Sequence, residues 1–135
     1  MAESIIVHFA EPKTVGVHEA FDEVAEYVGD SWSFPSNKNY QVMVYSYDDY
    51  SAEYEGSEKL KVVEALGCTP KFSFCIELRR SVQNEACELS KEILISTLSS
   101  FNFVVDDCMD KIWTKKEIEK YKHEFLRPYY YPRNT

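Results

Sequence analysis

Residues 71–79, KFSFCIELR, alternate without a break. Phe72, Phe74, Ile76 and Leu78 fall on one side, and Ser73, Cys75, Glu77 and Arg79 on the other. Successive side chains of a strand point to opposite faces, so a period of two marks a strand laid on a core. In a helix the same four apolar groups would scatter around the axis. The chain must therefore build a sheet with at least one covered face.

Other strands are read around this one. Ser4–Ala10 (SIIVHFA) is a short apolar run ended by Pro12, and Tyr40–Tyr47 (YQVMVYSY) and Phe101–Val105 (FNFVV) are rich in strand formers. Helices are expected between them. Val17–Val28 places Phe21, Val24, Ala25 and Val28 at helical spacing, with Gly29 as a stop. Ser57 is read as the cap of a short helix to Leu66, with Leu60, Val63 and Leu66 inward and Gly67 closing it. Asn84 is read as the cap of a longer helix to about Ser99, with Ala86, Leu89, Ile93, Leu94 and Leu98 as its buried stripe. Thr114 and Glu117 form a T-x-x-E capping box for a last helix carrying Ile118, Tyr121 and Phe125. SWSFPSNKN reads as a loop, and Pro128 stops the last helix, leaving RPYYYPRNT as a tail.

The order β-α-β-α-β-α-β-α suggests an α+β fold of the ferredoxin-like split β-α-β kind. The expectation is a four-stranded antiparallel sheet, helices packed on one face and an extra C-terminal helix, in one domain over 1–127 with a tail over 128–135. A doubly wound parallel sheet is the alternative, but it favours more continuous strands and Gly-rich turns. The second and fourth strands are expected at the two edges, running in the same direction. A strand spacing of about 4.8 Å would then set their exits about 14 Å apart at one end of the domain.

Those exits are acidic. The second strand leads into YSYDDYSAEYEG, residues 45–56, where four tyrosines alternate with four carboxylates and no Lys or Arg intervenes. The fourth leads into DDCMD, residues 106–110. Charge over the whole chain follows the same bias. Up to Gly67 there are 13 Asp and Glu against 4 Lys and Arg, and from Cys68 onward 10 against 11. An acidic half repels nucleic acid and anionic membrane and attracts basic proteins. No stretch approaches the run of about 20 apolar residues that spans a bilayer. The start, MAESIIVHFAEPK, lacks the basic n-region of a signal peptide, which fits a cytoplasmic protein.

Catalytic chemistry finds little to work with. Cys68, Cys75, Cys87 and Cys108 have no CxxC spacing and no His beside them, so they read as free thiols in a reducing compartment. His8, His18 and His123 have no ligand spacing, and His8 alternates within an apolar strand as a satisfied buried residue would. Asp48, Asp49, Asp106, Asp107 and Asp110 offer oxygens for Mg²⁺ or Ca²⁺, but the EF-hand pattern is absent and no metal or cofactor is expected. KFSFCIELRR carries Phe and Arg as an RNA-binding strand would, yet its Phe residues share the core face and the charge is wrong for RNA.

Tyrosine gives large contact area at small rotamer cost, and carboxylates accept paired hydrogen bonds from Arg. Their alternation suits a surface that meets Lys and Arg. The expected contact set is Asp48, Asp49, Tyr50, Glu53, Tyr54 and Glu55, joined by Asp106, Asp107 and Asp110.

FNFVVDDCMDKIWTKKEI, a strand running into paired Asp and then a helix start, together with YSYDDYSAEYEG, resembles the immunity proteins of bacterial polymorphic toxin and contact-dependent growth inhibition systems. The resemblance implies a non-catalytic protein that binds and blocks a basic, nuclease-like toxin domain. The alternatives are a small metal-dependent enzyme or subunit that uses the Asp and Glu residues, and an adaptor subunit of a larger assembly.

Overall fold

A computed structural model describes residues 3–35, 40–48, 54–109 and 111–129. The chain is α+β, with one seven-stranded sheet and four α-helices among these residues. The strands are β1 (Glu3–Phe9), β2 (Glu26–Val28), β3 (Ser31–Phe34), β4 (Val42–Ser46), β5 (Phe72–Leu78), β6 (Phe103–Asp106) and β7 (Ile112–Thr114). The helices are α1 (Val15–Asp22), α2 (Gly56–Leu66), α3 (Gln83–Glu92) and α4 (Lys115–Lys120). The sheet runs β2-β3-β4-β5-β1-β6-β7, and every neighbouring pair is antiparallel.

The four-stranded ferredoxin-like sheet is therefore replaced by a wider one. The four strands expected from sequence form its centre, and β2, β3 and β7 extend it. Val17–Val28 does not stay helical. Val17 and Phe21 are buried one turn apart on α1, but Val24 and Val28 are 53% and 63% exposed, so nothing rewards a longer helix. The chain turns into β2 instead. Gly29, at φ +65°, occupies the first position of the two-residue turn that joins Val28 to Ser31. Tight hairpins need positive φ there, and Gly reaches it at little cost. Trp32 and Phe34, in the segment read as a loop, alternate into the core from β3.

The alternation in β5 holds. Phe74, Ile76 and Leu78 are buried with Ile5, Val7 and Phe9 of β1, and Phe72 packs against them. This face is covered by α1, α3, α4 and the segment to Tyr129. Ala86, Ile93, Leu94 and Leu98 are buried as expected, with Leu89 partly so. Asn84 lies within α3 rather than capping it; the cap is Val82. Beyond α3 the chain continues as a π turn over Ile93–Thr97, in which Leu98 N–H reaches Ile93 O at 2.9 Å. The Thr114–Glu117 capping box forms: Thr114 N–H donates to Glu117 Oε1 at 3.0 Å and Glu117 N–H to Thr114 Oγ1 at 3.2 Å. Ile118 and Phe125 are buried, while Tyr121 is exposed. Tyr129, placed in the tail by sequence, is buried, and its hydroxyl donates to Asp107 O at 2.7 Å, with Ser4 O also within reach at 3.2 Å.

The helices do not share one face. α2 packs on the opposite side, over β1, β6 and β7. There Val62 meets Val104 and Tyr54, with Ala65 and Leu66 beside them. Its inward register differs from the expected one, since Leu60 is 57% exposed and Val62 is fully buried. Gly67 does close it, at φ +90°. Among the described residues, α2 thus covers one half of the second face. The other half, over β2 to β5, carries no helix among these residues.

Candidate functional site

One row of side chains crosses the second face on all seven strands: Val28, Ser31, Tyr45, Cys75, Ile6, Asp106 and Ile112. Where α2 stops, this row becomes the floor of a depression of about 480 Å³. Ser4, Ile6 and Cys75 lie in it, Tyr45, Tyr47 and Tyr54 wall it, and Glu58 and Asp106 stand on the side of α2. No Lys or Arg lines it among the described residues. A smaller recess of about 220 Å³ adjoins it past Tyr54 and Asp106 and adds Lys61 and Lys111.

Between the two recesses Tyr54 anchors a buried polar chain. Its hydroxyl bonds to Asp106 Oδ2 and lies 3.0 Å from His8 Nε2, and His8 Nδ1 lies 2.7 Å from Ser73 Oγ. A carboxylate only accepts, so the Tyr54 hydroxyl donates to Asp106. Its oxygen then accepts from His8 Nε2–H, which leaves Nδ1 to accept from the Ser73 hydroxyl. His8 is wholly buried and Ser73 nearly so. Burial holds the imidazole neutral by pushing its pKa down to about 4. Burial first, and then the bond to Asp106, push the Tyr54 phenol far above its ordinary value, so it remains a donor. Asp106 Oδ1 also accepts from Cys108 N–H at 2.8 Å, which helps hold Cys108 in a turn at φ +60°.

Serine beside histidine is the geometry of an activated nucleophile. Here the pair is sealed beneath Tyr54, with neither member at the surface. Cys108 turns its sulfur back toward Asp106 O, and burial followed by the charge of Asp106 pushes its thiol up to about 12. Such a thiol stays protonated at neutral pH and is a poor nucleophile. Among the described residues, no three His, Cys, Asp or Glu side chains are grouped to hold a metal ion. No helix among the described residues is long and apolar enough to cross a membrane. All four cysteines are free thiols; Cys75 and Cys87 are buried, Cys68 partly so, and Cys108 is exposed as a residue while its sulfur faces back to Asp106 O.

The expected contact residues separate into groups. Asp48 and Glu55 are exposed. Asp49, Tyr50, Glu53 and Asp110 lie outside the described residues. Tyr54 is 9% exposed and belongs to the buried chain rather than to the surface. Asp107 is only 6% exposed and is spent on the fold. Its Oδ1 accepts from Met109 N–H at 2.8 Å and Lys111 N–H at 3.2 Å, and its Oδ2 from Trp113 Nε1–H at 2.9 Å.

The geometric argument for one shared acidic end also fails. Three antiparallel steps separate β4 from β6, so the two run in opposite directions and leave the sheet at opposite ends. Tyr54 and Asp106 nevertheless meet on the second face, with Tyr54 two residues before α2. Sequence reasoning missed the role of Tyr54. The available signal was His8, a polar ring in an apolar strand, which requires buried partners.

No protein-family model, curated protein or solved structure matches this chain.

Proposed function

We propose that this protein is a non-catalytic binding protein that neutralises a basic, nuclease-like toxin domain, in the manner of the immunity proteins its acidic segment resembles. The observation that carries this reading is the tyrosine-walled, carboxylate-edged depression beside α2 on the second face of the sheet. The segment after Asp48 ends at Tyr54, which is pinned to Asp106 and His8. Of the expected contact set, Asp48 and Glu55 are exposed at the two ends of that segment, and Asp49, Tyr50 and Glu53 stay in it on their chemistry and their place in the sequence. Tyr45, Tyr47 and Asp106 supply fixed aromatic and acidic contacts, and Lys or Arg side chains of the partner would fill the space between them. Asp107 takes no part. Asp110 stays in the contact set on its charge and its place in the sequence.

Opposed charge patches act mainly on association, and salt screens them over about 10 Å at 0.1 M. Asp48→Lys combined with Asp49→Lys should slow association and flatten its salt dependence, leaving thermal stability unchanged. Tyr50→Ala should speed dissociation, because aromatic anchors dominate interface energetics. The partner is sought as a basic effector encoded immediately upstream and recovered by affinity capture. Surface plasmon resonance with that protein over a salt series reads both rates. Rates equal to wild type in these variants would move the binding surface elsewhere.

A further inference from the structure

A second surface lies at the far edge of the sheet. β2 pairs with β3 alone, so its outer side is an open edge among the described residues. Natural edges are guarded by Lys, Pro, a bulge or a covering element. The opposite edge has such guards. β7 passes directly into α4, Lys111 before it pairs with Glu117 at 3.2 Å, and Lys115 after it donates to Ser99 O and Phe101 O.

The β2 edge is guarded only by its shortness and by Glu26; it has no Lys, no Pro and no covering helix among the described residues. Residues 14–35 hold Glu19, Asp22, Glu23, Glu26 and Asp30, with no Lys or Arg. Four of the six exposed large apolar side chains among the described residues also fall here: Val15, Val24, Tyr27 and Val28. Tyr27 is half exposed while its ring lies 4.5 Å from that of Trp32, so it is held in place by the core. Backbone geometry completes the surface. In a hairpin closed by a two-residue turn, Val28 and Ser31 form the hydrogen-bonded pair next to the turn. Antiparallel alternation then directs the N–H and C=O of Tyr27 away from β3, toward solvent.

We propose that the β2 edge accepts an extended, basic segment of a partner protein as an eighth strand. Lys or Arg on that segment would face Glu26 on the second face, with the side-chain stems lying over Val28, and β-branched side chains on the other face would cover Tyr27. Charge selects this occupant over a second copy of the chain. Two copies edge to edge would bring ten carboxylates together from residues 14–35 with no cation between them. The inference is separate from the depression described above and stands or falls without it.

The test is a titration of the ¹⁵N-labelled chain with an end-blocked peptide of alternating valine and lysine, followed by amide NMR. Glutamate–valine and all-lysine peptides of the same length serve as controls. The valine–lysine peptide should shift amides within residues 24–33 and slow exchange of the Tyr27 amide by about tenfold, while neither control does so. Glu26→Lys and Val28→Lys, both at exposed positions, should each weaken binding by about tenfold. Three results would overturn the proposal: equal response to the all-lysine peptide, shifts at Tyr45, Tyr47 and Asp106 in place of β2, or no response at β2 at millimolar peptide. Sedimentation showing self-association through β2 would overturn the choice of occupant. Because Asp48 and Asp49 are untouched in these variants, failure here leaves the toxin-binding reading to its own experiment.

Discussion

Replacing Tyr54 by Phe removes one oxygen and keeps the ring. That oxygen donates to the Asp106 carboxylate and accepts from His8, which is wholly buried. A hydrogen bond to a charged acceptor contributes about 1.5–3 kcal/mol, and taking the acceptor from a buried N–H costs about 1–3 kcal/mol. Asp106 is partly exposed and regains water, so the first cost is recovered in part. The expected loss is about 3 kcal/mol. An unfolding entropy of about 2.1 cal/mol/K per residue over 135 residues turns this into a fall in Tm of about 10 °C. Urea unfolding and calorimetry on Tyr54→Phe measure it, with Tyr121→Phe as the control at an exposed ring. The same chain of donors requires neutral His8 to carry its proton on Nε2, which ¹⁵N chemical shifts of the imidazole report. A loss below about 1 kcal/mol, or an Nδ1–H tautomer, would refute the polar chain as drawn.

Phe74 is 1% exposed and its ring meets those of Phe9, Phe21, Phe72 and Trp32, so Phe74→Ala should cost about 3–5 kcal/mol in urea unfolding. Acid should destabilise the fold in a defined window. His8 has its pKa lowered to about 4, so between the usual 6.5 and 4 the unfolded chain binds the proton and the native one does not. Stability conferred by the neutral ring is complete above pH 6.5 and falls as pH drops, by about 3 kcal/mol at pH 4. His8→Gln should flatten that slope in unfolding curves taken across the window. Thiol labelling at pH 7 should find Cys68 reactive, Cys108 slow, and Cys75 and Cys87 reactive only after denaturant. Rapid native labelling of all four would show the buried pair to be accessible.

The centre of the sheet was legible because both its signals are local. Phe72, Phe74, Ile76 and Leu78 alternate over a few residues, and Thr114 finds Glu117 within one turn. What escaped were elements that local pattern does not decide. Glu26–Val28 has helical spacing with α1, and only the pull of Trp32 and Phe34 into the core makes it half of a hairpin. Leu60 and Val62 could each have faced inward; a sheet face holding Val104 selected Val62. At the site, the acid-rich stretch was visible, but the division of labour within it was not. Asp107 and Asp106 are adjacent in sequence, yet one is consumed by Trp113 and two backbone amides and the other meets Tyr54. The parity of a strand separates neighbours in this way, and composition carries no trace of it.

The place of β1 inside the sheet has a consequence for how the chain is made. β1 is flanked by β5 and β6, so the earliest strand to be synthesised finds both neighbours late. His8 meets Ser73 across a separation of 65 residues, which is about 3–13 s of elongation at about 5–20 residues per second. Val104, its partner on the other side, arrives later still. Through that interval Ile5, Val7 and Phe9 have no sheet to join, while α1 and the β2–β3 hairpin can already form from nearby residues. The nascent chain thus carries an apolar, unpaired strand until β5, more than 60 residues further on, has been synthesised. A ribosome-associated chaperone that binds extended apolar segments would find its substrate in SIIVHFA and would release it when β5 emerges.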